Sequence, residues 1–153
     1  MTIDTMANVI LSVCDNVSNK KLQKISYYVY AWYLTIYGEK ISDVCYEAWE
    51  HGPVCRRLYI KYKKYGWNVI PRYDGFVLAT NEEIAFVQSI VTVYGKYSAD
   101  ELEEMTHRES PWINARRIMK EKGLLDVTIS DKDIIDYYSR LKDIRNCILG
   151  QIV

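Results

Sequence analysis

Apolar positions recur at helical spacing through most of the chain. Met6, Val9, Ile10 and Val13 follow the three- and four-residue steps that place side chains on one helical face, and Thr2 stands where it can cap them. A second helix is capped by Ser18 or Asn19 and runs to Tyr37, where Gly38 stops it. It carries two stripes, one of Leu22, Ile25, Val29, Trp32 and Ile36, the other of Tyr30, Tyr33 and Tyr37. A helix with two such faces is expected between other elements, at the centre of the fold.

Beyond Gly38 the period lapses, and residues 38–51 read as irregular or briefly extended. Gly52-Pro53 then opens a third helix, because proline in a first turn surrenders an N–H that has no acceptor there. Leu58, Tyr62 and Tyr65 continue it and Gly66 ends it. Val69-Ile70 and Phe76-Val77-Leu78 are β-prone runs around Asp74-Gly75, predicting a short β-hairpin near residues 68–79 with Pro71 at an edge. Asn81, followed by Glu82 and Glu83, caps a fourth helix that ends near Gly95. Ser98 and Glu101 form a capping box for a short fifth helix through Met105. Ser110-Pro111 opens a sixth that Gly123 ends, and Ser130 caps a last one carrying Ile134, Tyr137, Leu141, Ile144 and Ile148. The expected fold is mostly α: a compact helical domain of about six or seven helices with one short hairpin. No repeat, low-complexity tract or linker interrupts residues 1–153, which read as one domain.

Composition adds three constraints. Lys plus Arg and Asp plus Glu both number 20, and a formal net charge of zero argues against a dedicated duplex-binding domain. Tyrosine is in excess, with 14 residues beside four tryptophans and two phenylalanines, and such rings belong at core margins and interfaces. Cys14, Cys45, Cys55 and Cys147 are scattered without a CxxC pair and read as reduced thiols. With no secretory signal at Met1-Thr2-Ile3-Asp4 and no apolar run of roughly 18 residues, the expected compartment is the cytoplasm, away from membranes.

Candidate chemistry is sparse. There is no GxSxG, Walker loop, GxGxxG, HExxH or EF-hand loop, so neither catalysis, a cofactor nor a metal has sequence support. Of the two histidines, His51 lies four residues before Cys55, which leaves a Cys/His hydrolase as a formal alternative. The plainer reading has His51 bonding backbone groups at a helix start and His107 sitting as a cation at a helix end. Lys61, Lys63 and Lys64, beside Tyr59, Tyr62, Tyr65 and Trp67, suit single-stranded nucleic acid, but equally a solvated helix face, which zero net charge favours. Arg116-Arg117 and Lys120 are cations expected near a helix C-terminus. Trp49 and Trp112 each flank a proline-led segment, as core pins or as anchors for a partner.

Four blocks together carry a family resemblance. They are Lys21-Leu22-Gln23-Lys24-Ile25-Ser26-Tyr27-Tyr28 with Ala31-Trp32-Tyr33-Leu34; Glu47-Ala48-Trp49-Glu50-His51-Gly52-Pro53-Val54 with Leu58-Tyr59 and Tyr65-Gly66; Tyr94-Gly95 and Leu102 leading to Met105-Thr106-His107-Arg108-Glu109-Ser110-Pro111-Trp112 and Ala115-Arg116; and Ile129-Ser130 with Ile134 and Tyr137-Tyr138. In order and spacing, over about residues 7 to 138, they resemble the SocA-like antitoxin family, the Panacea domain, which includes phage-associated GepA-like proteins. Ser26 and Tyr30 depart from the family pattern and place polar and aromatic groups on the central helix.

The resemblance implies a non-enzymatic helical domain that neutralises a protein toxin, encoded nearby, by direct binding. Some members present the toxin to a protease as adaptors. It implies no catalytic residue, metal or cofactor. The residues expected to meet a partner are Tyr30, Tyr33, Trp49, His51, Tyr59, Tyr62, His107, Trp112 and Arg116. Gln23, Gly52, Pro53, Thr106 and Pro111 are expected to be structural. The second reading is a phage or mobile-element inhibitor of a host defence protein built on the same scaffold. A Cys/His hydrolase and a nucleic-acid binder rank below both.

Overall fold

Helix α2 (Asn19–Tyr37) is the axis of the molecule, seen in a computed structural model that describes residues 1–152. Every residue from Lys21 to Trp32 is buried, on all sides of the helix. Ser18 caps its start by accepting from the Lys21 amide, and Gly38 ends it in the left-handed region. Around it lie α1 (Ile3–Val13), β1 (Glu47–Trp49), β2 (Gly52–Val54), α3 (Arg56–Tyr62) with a 3₁₀ turn over Lys63–Tyr65, α4 (Asn81–Tyr94), α5 (Ala99–His107), α6 (Ser110–Lys122), α7 (Asp131–Tyr138) and α8 (Lys142–Ile152). α2 packs directly on α1, α3, α4, α5, α7 and β2, as a two-striped central helix should.

The tyrosine excess resolves largely into core. Tyr27, Tyr28, Tyr46, Tyr94 and Tyr138 are all buried. Tyr28 stacks on Tyr94 with ring centroids 3.9 Å apart, and the Trp32 indole N–H donates to the Tyr94 hydroxyl at 2.8 Å. Buried hydroxyls need acceptors, and for Tyr28 and Tyr138 Glu109 supplies them. Its carboxylate accepts from Tyr28 at 3.0 Å and from Tyr138 at 2.7 Å, tying α2 and α7 to the start of α6. Burial pushes the Glu109 carboxyl up to about 7, against the opposing pull of the two phenols.

The expectation of a mostly helical fold with one hairpin holds, but the hairpin lies elsewhere. β1 and β2 pair antiparallel in the register Glu47↔Val54, Ala48↔Pro53 and Trp49↔Gly52. Gly52-Pro53 therefore lies in a strand and does not open α3, which begins only at Arg56. The reason is tertiary: partners on α2 hold this backbone extended, and residues 127–129 run beside β1, where Val127 accepts from Ala48 and Ile129 donates to Tyr46. Residues 68–79 form no strand. Their backbone is spent on α1 and the turn after it: the Ile70 amide donates to the Val17 carbonyl at 2.8 Å and the Tyr73 amide to the Leu11 carbonyl at 3.3 Å. With those groups taken, Val69 and Phe76 have no ladder to join and stay exposed.

Two smaller corrections concern helix ends. Thr80, not Asn81, caps α4 and shares a full capping box with Glu83. The last expected helix is two, broken at Ser139–Leu141, which lets α8 turn back and pack on α4.

Candidate partner-binding site

The hairpin is held in place by residues of three helices. From α2, the Gln23 side-chain amide pairs with both backbone groups of Cys55, accepting from its N–H at 2.8 Å and donating to its carbonyl at 3.2 Å. Lys24, 1% exposed, donates to the Pro53 carbonyl at 3.0 Å. Gly52 has φ +110°, and a β-carbon there would stand 2.5 Å from Lys24 Cε and 3.0 Å from Thr106 Oγ1. Only glycine accepts both that torsion and that approach. From α6, the Trp112 indole donates to the Trp49 carbonyl at 2.8 Å and the Arg116 guanidinium to the Ala48 carbonyl at 3.1 Å.

Several of the expected partner residues converge on this hairpin. Trp49 is half-buried, its indole N–H donating to Glu47 at 2.8 Å, with Tyr59 at its edge 4.9 Å away and the Arg56 guanidinium 5.5 Å above it. His107 stacks on Trp112 with centroids 4.1 Å apart, and Arg116 lies 5.6 Å from the same ring. His51 projects from the exposed hairpin turn, Nδ1 3.3 Å from Glu103. Aromatic and guanidinium groups fixed in position yet partly open to solvent are the usual anchors of protein interfaces.

Three expected residues are elsewhere. Tyr30 is buried, its hydroxyl donating to Asp131 at 2.6 Å, because α7 covers that face of α2. Tyr62 is buried as well, on the inner side of α3. Tyr33, half-buried, packs its ring on Tyr37 and on Phe86 of α4. Tyr30 and Tyr62 are thus core rings, while Tyr33 is half-buried like Trp49 but packed against α4. The two histidines also depart from expectation. His51 caps no helix, since no helix starts there. His107 ends α5 as expected, but burial lowers its affinity for a proton and its ring is stacked on Trp112.

The hydrolase alternative has no supporting geometry. His51 faces Glu103, while the Cys55 thiol is buried and pushed up by that burial, the reverse of an activated nucleophile. The basic run is partly spent too: Lys61 lies 3.8 Å from Asp4, which also accepts from Arg57 at 2.7 Å. Among the described residues no group of three or more His, Cys, Asp or Glu is placed to hold a metal. Among the same residues no helix is long and apolar enough to cross a membrane.

A cleft of about 600 Å³ opens between the N-terminus of α2, the hairpin and α3. Trp49, Tyr59 and Trp67 form its aromatic wall, and Lys20, Lys24 and Lys63 reach it. Lys24 and Asn19 escape a reading of the sequence. The one available sign is that Lys24 shares a helical face with Tyr28 and Ala31, four and seven residues on, so its ammonium is carried inward.

No curated protein and no solved structure matches the chain. One family model does, described as the antitoxin SocA-like Panacea domain, over residues 22–113. That span runs from the buried start of α2 through the hairpin to Trp112, so it contains Gln23, Lys24, Gly52 and Thr106, the joint just described. It covers more than half of the sequence, and the chain belongs to the SocA-like antitoxin family of Panacea domains.

Proposed function

We propose that this protein neutralises a cognate protein toxin by binding it directly through the hairpin face. An antitoxin role is what the family supports in general. The observation that carries the finer reading is the cluster of Trp112 and Arg116, pinned to the hairpin backbone, with Trp49 and Tyr59 packed edge to face, all left partly open. Rigid aromatic and arginine anchors lose little entropy when they are covered, which is how a small patch sustains tight binding. His51, exposed at the hairpin turn, lies on the rim of the same face. The partner is a polypeptide encoded close by, and occlusion of its active surface is the simplest mechanism.

Co-expression with the products of adjacent genes tests this. Rescue of growth together with co-purification of the two chains is the expected result, and Tyr59→Ala should weaken both. Neither rescue nor complex with any neighbouring product would sink the proposal. Toxin abundance separates two mechanisms: occlusion leaves it unchanged, whereas delivery to a protease lowers it until the protease is removed.

A further inference from the structure

We infer that residues 76–80 are an extended segment with an open backbone edge, on which a second copy of this chain docks antiparallel about a two-fold axis at Leu78. The β-prone run continues past Tyr73, the last of its residues whose amide is bonded to α1. Beyond it exposure alternates residue by residue: Phe76, Leu78 and Thr80 face solvent, while Val77 and Ala79 are half-buried. That is the two-residue period of a strand. Phe76 is 81% exposed and Leu78 78%, so two apolar side chains project from one face without a cover.

The backbone shows which edge is open. In an extended chain successive residues aim their N–H and C=O groups to alternate edges. The Phe76 carbonyl accepts from the Tyr73 hydroxyl at 2.7 Å and the Thr80 N–H donates to Glu83 at 3.1 Å, so one edge is occupied. On the other, the backbone groups of Val77 and Ala79 have no partner among the described residues, and no ladder or bridge includes them. Such an edge is a template for another extended chain, which returns an acceptor and a donor at each position.

The segment is complementary to itself. With the axis at Leu78, Val77 and Ala79 of each copy exchange both backbone bonds with Ala79 and Val77 of the other. Leu78 then stands directly opposite its own copy, where side chains come closest, and Phe76 lies diagonal to it. Residues 75–81 carry no charge, so no like charges are brought together. An interface of this kind, the same patch on both subunits, closes as a dimer. The hairpin packs on α2, α5 and α6, whereas this segment follows α1 and runs into α4, so the pairing does not depend on the toxin reading. So short a ladder falls below the 1,200 Å² of stable interfaces, and half-association is expected at roughly 100 µM.

Sedimentation velocity of the full chain from about 5 µM to about 1 mM tests this, and the mass should rise from monomer to dimer. Leu78→Asp sets two carboxylates face to face and Ala79→Pro removes an N–H of the open edge, so each should weaken association about tenfold or more. Leu78 is exposed, so Leu78→Asp should fold, and circular dichroism checks both variants. On mild oxidation Leu78→Cys should cross-link to its own copy far faster than the wild type, whose exposed Cys45 and Cys147 are the control. A monomer throughout, a dimer indifferent to Leu78→Asp, or no gain in cross-linking overturns the inference. A dimer lost in Leu78→Asp but kept in a folded Ala79→Pro is an apolar contact without a ladder and overturns it too. A chain that stays monomeric, yet loses a co-expressed protein in Leu78→Asp, overturns the second copy in favour of that protein's own strand.

Discussion

Replacing Lys24 by methionine probes the joint between α2 and the hairpin. The ammonium lies wholly inside the protein with the Pro53 carbonyl at 3.0 Å as its hydrogen-bond acceptor. Glu103 attracts it from a distance, but that carboxylate is already engaged by Lys20 and His51. Burial therefore lowers its pKa to about 7 from 10.5, with repulsion from Lys20 adding to the fall. Between those values the unfolded chain holds a proton that the folded chain has released, so stability rises with pH. Each pH unit is worth about 1.4 kcal/mol, so from pH 7 to pH 10 the wild type gains about 4 kcal/mol relative to a chain without the lysine. Below pH 7 the full penalty of about 5 kcal/mol is present. Methionine removes the charge and keeps the apolar stem, but strands the Pro53 carbonyl at about 1–3 kcal/mol. The variant should thus be about 3 kcal/mol more stable than wild type at pH 6, with the advantage gone near pH 10. Urea unfolding followed by circular dichroism at each pH gives the difference directly, and titrations common to both chains cancel. A difference that stays constant from pH 7 to pH 10 would refute the reasoning.

Glu109→Gln should show the opposite window. Burial raises this carboxyl from 4.5 to about 7, so its stabilising part is complete below 4.5 and is lost as pH rises to 7. Over that range the wild type should lose about 3 kcal/mol relative to the variant in the same urea titration. Gly52→Ala should lower stability by about 2 kcal/mol or more, from positive-φ strain and the approach of Lys24, read as a fall in melting temperature. Gln23→Leu leaves the Cys55 N–H buried and unpaired, while the Cys55 carbonyl keeps its bond from the Tyr59 amide, a loss of about 1–3 kcal/mol, with faster hydrogen exchange at the Cys55 amide as its local signature.

The helices were legible because their signals are local. Ser18, Ser98 and Ser130 cap as their positions suggest, and Gly38 and Gly123 end helices in the left-handed region. The hairpin was misplaced because its cause is remote. A proline after glycine is as good a helix opener as an edge-strand residue, and what decides is Gln23, 32 residues away from Cys55. The β-prone run at 68–79 failed for the same reason, since its amides were claimed by α1 and the turn after it.

The candidate site divides the same way. Trp49, His51, Tyr59, His107, Trp112 and Arg116 were readable as candidates from residue type and family pattern, and the fold gathers them around one hairpin, while Tyr30 and Tyr62 looked equally suited until α7 and the core covered them. By itself the sequence determined the helical class, those helix ends that carry a serine cap or a closing glycine, and the family, because periodicity, capping and motif spacing act over a few residues. Only the tertiary structure decided which aromatics face out, where the extended pair forms and that Lys24 is inside, because burial and hydrogen-bond partners are set by elements far apart in the chain.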